Sequence, residues 1–431
     1  MIKRIFITTL LGLFMQSMYG QKPPTIQDSI ATYFDEIKMQ TNKHQQLWAG
    51  NLYSPMLLVN RGTRQVYANF SDTSGFLRPI GTIYTGILPK EINIANTAIN
   101  WNGRRWAMIM LPLPASKEDR IKLLAHELFH VIQPSLGFKL FNPTNNHLDQ
   151  KEGRVYLRLE LEALKNALQA TSDLDRKTHL TNALAFRKYR YLLYPGADST
   201  ENLLELNEGI AEYTGSVISG RSKSQLREYF VQRINSFINN PTFVRSFAYQ
   251  TTPVYGYLLV NTKKYWNREV TIKTNLTDYF IKNFAISPLN DLKKNTDQVS
   301  TQYKGMIIVS EENAREEKIK KQIAEYKNLF ITRPHFELVF EQMEVSFDPG
   351  NIIPVEDKGT VYPNIRVSDN WGILLVKNGA LMSNSWDKIS VTPPLKNEHK
   401  SISGDGWTLE LKDGYTVVKD ESTGHYKLTK Q

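Results

Sequence analysis

The stretch IKLLAHELFHVIQP, residues 121–134, sets His126 and His130 four apart with Glu127 beside the first. Residues four apart share one face of an α-helix, so two imidazole nitrogens can meet on one ion while Glu127 stays close without being forced to ligate. In that arrangement zinc acidifies a water, and a carboxylate takes the water's proton as it attacks a carbonyl. The plain alternative is three polar residues on an ordinary buried helix, and a third ligand decides between them. Position 136 is Leu and position 133 is Gln, so the HExxHxxGxxH pattern is excluded. A later stretch, LNEGIAEYTG, supplies Glu208, followed by Gly209 and Ala211, small residues that would let its helix press against the first.

Other residues compete for the third position. Glu160 and Glu162 in RLELEAL are candidates, although Arg154 and Arg158 stand at spacings suited to ion pairs along the same helix. His147, in NNHLDQ, falls in a loop-like stretch with Pro143 and suits a surface or supporting role better. Glu212, one turn after Glu208, can orient a ligand His through its second ring nitrogen, or can be a solvated acid.

HELFH together with NEGIAEY resembles the gluzincin metallopeptidases, the group that contains thermolysin-like enzymes and the zinc aminopeptidases. The resemblance rests on two short motifs and by implication covers residues 116–260. It implies a Zn2+ cofactor bound by His126, His130 and Glu208, with Glu127 as general base and proton shuttle. YQTTPVYGYLL resembles the tyrosine-bearing stretch downstream of the third ligand in the aminopeptidase branch. This implies Tyr249, with Tyr255 as its rival, as the donor to a developing oxyanion. The chain departs from the family in two ways: residues 131–207 separate His130 from Glu208, long enough for two helices, and there is no glycine-rich exopeptidase motif.

The elements that must carry these residues follow from local signals. Residues 48–110 read as strands and turns, with a hairpin at Asn102-Gly103 in TAINWNGRRWAMIM. RRWAMIM precedes the motif helix, where it would serve either as an edge strand for an extended substrate or as a buried structural strand. Ser116 caps the motif helix, with Asp119 as the reciprocal acid, and the helix runs to Pro134. Further helices are predicted over residues 153–170 and 178–193, and an amphipathic one over 310–330. Beyond Pro334 the pattern changes to alternating strands with Asn-Gly and Asp-Gly turns.

The predicted fold class is α+β: a zincin-like catalytic domain with a small N-terminal antiparallel sheet and a helical region, then a small β-rich C-terminal domain. The boundaries are a signal peptide at 1–20, a β-rich part at 21–115, the helical zinc region at 116–300, a helical connector at 301–333 and the β domain at 334–431.

Composition sets limits on all of this. The 431 residues, 41% hydrophobic and 22% charged, suffice for two or three domains. The basic start (Lys3, Arg4), the apolar run to about Met18 and the small Gly20 suit a cleaved export signal too short to span a bilayer. With no cysteine there is no disulfide, thiolate ligand or lipid-modified cysteine, so a periplasmic or secreted protein that is not lipid-anchored is expected. The net charge of +10 is interspersed with acids, which argues against nucleic acid as a partner.

The expected function is that of an exported zinc-dependent metallohydrolase acting on a peptide or protein substrate. The alternative is a zincin-like non-catalytic binding protein that retains its metal site and recognises partners through the β domain. Exposed Trp371, Trp386 or Trp407 would give that domain a glycan or cell-surface contact, whereas buried ones would belong to its core.

Overall fold

The computed structural model describes residues 25–139, 142–287, 290–348, 352–398 and 400–430; the export segment expected at residues 1–20 lies outside them. The architecture is mixed α+β. The first described element is a helix, α1 (Ile26–Lys43), at the start of the part, residues 21–115, expected to be β-rich. Thr25 and Asp28 close a capping box, and Ile30, Phe34, Ile37 and Thr41 recur at helical spacing on its buried side.

Six strands follow: β1 (Met56–Asn60), β2 (Gln65–Ala68), β3 (Arg78–Ile80), β4 (Ile83–Ile87), β5 (Thr97–Trp101) and β6 (Arg104–Leu111). They form one sheet in the order β3-β4-β2-β1-β6-β5. The predicted hairpin joins β5 to β6, with Asn102 and Gly103 both at positive φ. The sheet is not wholly antiparallel, because β6 pairs with β1 in parallel. Nor is β6 an edge strand. Ala107 and Ile109 face the main core while Trp106 and Met108 face a second core, so an apolar run buried on both sides takes the sheet interior. The edge is β5.

The motif helix α2 (Lys117–Ile132) starts at Ser116, whose hydroxyl accepts from the Asp119 amide at 3.1 Å; the Asp119 carboxylate accepts from that hydroxyl rather than from the capping backbone. The long insert is filled by α3 (Lys151–Gln169) and α4 (Asp173–Leu193), two helices packed along each other. Then come α5 (Ala197–Leu204), a wide π-helical turn at Glu205–Gly209, and α6 (Ile210–Ile218). The helical region continues through α7 (Lys223–Phe237), α8 (Ala248–Leu259), α9 (Leu276–Asn283), α10 (Leu292–Val299) and α11 (Gly305–Lys327).

Acids and arginines inside this bundle connect helices rather than neighbours on one helix. Glu160 on α3 accepts from Arg187 Nε at 2.7 Å and Arg190 Nη1 at 2.9 Å, both on α4. Arg187 forks onto Glu205 and Arg190 onto Glu201. All five side chains are fully buried. Arg154 and Arg158, predicted to pair along α3, instead bind Glu312 on α11 at 2.8 and 2.7 Å. Glu162 pairs with Lys165 and Lys304. The physical reason is that α3 is buried nearly all round, so most of its charged groups find partners on the helices packed against it, the Glu162–Lys165 pair within α3 excepted.

Residues 336–430 form two mostly antiparallel sheets, of seven and six strands, that face each other across one apolar core. Trp371 and Trp407 belong to that core and donate to the carbonyls of Val339 and Thr392, so neither is a surface aromatic. Trp386 alone of the three is exposed, edge-on to Tyr362 and close to Phe347. No helix among the described residues is long and apolar enough to cross a membrane.

Candidate metal centre

On α2 the two histidines present their Nε2 atoms to the same point, 3.2 Å apart. Glu208 Oε2, arriving from the π-helical turn, lies 3.4 Å from His126 Nε2 and 3.3 Å from His130 Nε2. The three atoms form a nearly equilateral triangle. A tetrahedral zinc with bonds of ~2.0–2.1 Å needs ligand atoms ~3.3–3.4 Å apart, so the observed edges match that requirement. Two imidazoles and one carboxylate, with no thiolate, are also the donor set of a hydrolytic rather than a purely structural zinc.

The electrostatics point the same way. Burial disfavours a charged His126, yet hydrogen bonds to Glu208 and Glu212 outweigh it and push the imidazolium up to about 10. Burial likewise opposes the charge on Glu208, but the two histidines hold its carboxyl well below the usual range. Three carboxylates, Glu127, Glu208 and Glu212, thus surround two imidazoles in a buried pocket, a balance that a dication would satisfy.

Both candidate histidine ligands are held from behind. His126 Nδ1 donates to Glu212 Oε2 at 3.1 Å, and the other Glu212 oxygen accepts from Lys122. His130 Nδ1 donates to Gln133 Oε1 at 2.8 Å, and the Gln133 amide donates to the carbonyls of Leu206 at 3.3 Å and Asn207 at 3.1 Å. Both rings are therefore fixed with Nε2 toward the ion position. Gln133 also ties the motif helix to the segment that delivers Glu208. The wider π turn swings Glu208 away from the direction of Glu205, so Glu205 anchors in the buried arginine network while Glu208 faces the histidines.

The small residue that lets α6 approach α2 is Gly215, not Gly209. A Cβ on Gly215 would stand 2.6 Å from the Lys122 carbonyl oxygen, whereas one on Gly209 would meet Thr252 of α8. Replacing Gly215 would push the Glu212 helix off the motif helix.

The ion position opens into a cavity of about 150 Å³ lined by Asn96, Thr97, Asn142, Asn207 and Tyr249 together with the ligands and Glu127. Glu127 is 5% exposed and its Oε2 has no hydrogen-bond partner among the described residues, while burial raises its carboxyl pKa. A buried carboxylate oxygen left open beside a hydrolytic donor set is what a general base requires. The Tyr249 hydroxyl donates to Glu208 Oε2 at 2.5 Å and its ring stacks on His126. Tyr255 does not reach the site; it is fully buried and donates to Glu160 at 3.0 Å.

The histidine pair, Glu127, Glu208, Glu212 and Tyr249 are thus brought together. Glu160, Glu162 and His147 are not, and His147 is bound to Glu201 at 2.7 Å. Sequence reasoning missed Gln133, which stands one turn beyond His130 and so was within reach of helical spacing. Replacing Gln133 with Leu is expected to weaken zinc binding by about 10–100-fold, since His130 loses the acceptor that fixes its ring. Chelator competition measures this, and an unchanged affinity would remove Gln133 from the centre. Comparison with known protein families, characterised proteins and solved structures finds no match to this chain.

Proposed function

We propose that the chain is an exported zinc-dependent metallopeptidase of the gluzincin kind. The observation that carries the reading is the triangle of His126, His130 and Glu208 ligand atoms at tetrahedral spacing, with the unpartnered Glu127 oxygen in the same cavity. Zinc held by those three residues would supply Lewis acidity to a water and to the scissile carbonyl. Glu127 accepts the water's proton as attack begins and returns it to the leaving amine. Tyr249 turns its hydroxyl from Glu208 to the carbonyl oxygen as negative charge builds there. The residues just before and at the start of β5, Asn96 and Thr97, line the cavity, and the open edge of that strand offers main-chain groups to an extended peptide.

A non-catalytic zinc-binding protein is the second reading. Glu127 argues against it, because a structural site has no use for a buried carboxylate oxygen without a partner. The test is cleavage of an unstructured peptide library by zinc-supplemented protein. Cleavage that chelator abolishes and zinc restores supports the peptidase; a library left intact by a protein that binds one zinc supports the binding protein.

A further inference from the structure

A second cavity, of about 330 Å³, adjoins the first and shares Asn142, Glu208 and Tyr249 with it. Its other walls are Leu204, Arg245, Ser246 and Asp348. Arg245 stands four residues before Tyr249, a spacing that in this helical approach to α8 puts the two side chains on one side. The β-sandwich closes the far side. Asp348 follows its strand Glu344–Phe347, Glu344 accepts from Asn93 in the segment leading to β5, and the Arg245 charge is felt by the Tyr362 phenol.

Arg245 differs from the buried guanidiniums of the bundle. Arg187 and Arg190 are each forked onto a glutamate and Arg154 donates through Nε to Glu312, whereas the Arg245 side chain makes no hydrogen bond or ion pair among the described residues. Asp348, which also lines this cavity, is itself engaged in an interaction. Arg245 is therefore a half-buried cation, lining a cavity that shares Asn142, Glu208 and Tyr249 with that of the metal centre, and its planar fork suits a carboxylate. Within the inner cavity Glu127 and Glu208 would repel an anionic group, so Arg245 is where negative charge on a substrate is accommodated.

We infer that Arg245 forms a carboxylate-binding subsite and that the protein selects peptides bearing a carboxylate, from the C-terminus or from an acidic side chain, near the scissile bond. As a statement of substrate class this rests on the peptidase reading, but its binding test does not require turnover. The full chain carrying Glu127→Gln, supplemented with zinc, is titrated calorimetrically with short peptides in three versions: free C-terminus with Glu side chains, the same with an amidated terminus, and free terminus with Gln for Glu. Loss of the carboxylate that is read is expected to weaken binding about 10–100-fold, and the version that weakens identifies its source. Adding Arg245→Ala should erase the difference, and Arg245→Lys should restore part of it. Equal binding of all three versions, discrimination that survives Arg245→Ala, or no binding by a folded protein would each overturn the subsite. Arg245-dependent binding without cleavage by the parent would sink the peptidase reading alone, and cleavage without discrimination would sink the subsite alone.

Discussion

Glu127→Gln is expected to lower kcat for a cleaved peptide by about 10²–10⁴-fold while zinc content stays at the parent level. The amide keeps the size of the carboxylate but cannot accept the proton that leaves the attacking water. Because Glu127 makes no bond to either histidine and its Oε2 is unpartnered, removing its charge disturbs no ligand. KM should change far less than kcat, since the interaction is made mainly in the transition state. Steady-state kinetics with zinc analysis on the same samples reads both quantities. A variant that retains more than a tenth of the parent kcat would assign the base to another group.

The second large effect is on stability. Glu160→Ala leaves Arg187 and Arg190, both fully buried, with one carboxylate each in place of a shared third. Each arginine keeps its own glutamate, so the cost is that Arg187 Nε and Arg190 Nη1 become buried donors without that acceptor, about 1–3 kcal/mol apiece. Tyr255 would also lose its acceptor. Urea unfolding of parent and variant measures the loss. A cost below about 1 kcal/mol would mean that water enters the network and that its burial is not what holds α3 to α4. The same variant should bind zinc more weakly, because Arg187 fixes Glu205 three residues before Glu208.

The parts legible in the sequence were those governed by local rules. Helical spacing put His126 and His130 on one face, Asn102-Gly103 announced a hairpin, and the change to alternating strands after Pro334 marked the β-sandwich. Glu208 was legible only as a motif, because the residues between it and His130 had to fold before the two could meet. What local rules could not reach was partner choice across the fold. Arg154 and Arg158 had good intrahelical acids, yet burial of α3 sent them to Glu312 on a helix about 150 residues away. The strand order was hidden for the same reason: nothing local distinguishes β6 as an interior strand from β6 as an edge until the parallel partner β1 is known. The capping box of α1, Thr25 and Asp28, is a local signal as well, although it stands in the part expected to be β-rich.

The central claim is that His126, His130 and Glu208 bind one zinc. Elemental mass spectrometry on the parent and on Glu208→Ala, prepared side by side from the same zinc-containing medium, tests it most directly. The ligand geometry predicts about one zinc per chain in the parent and a large loss in the variant, with both proteins folded by circular dichroism. Equal zinc in parent and variant, or none in either, would contradict it.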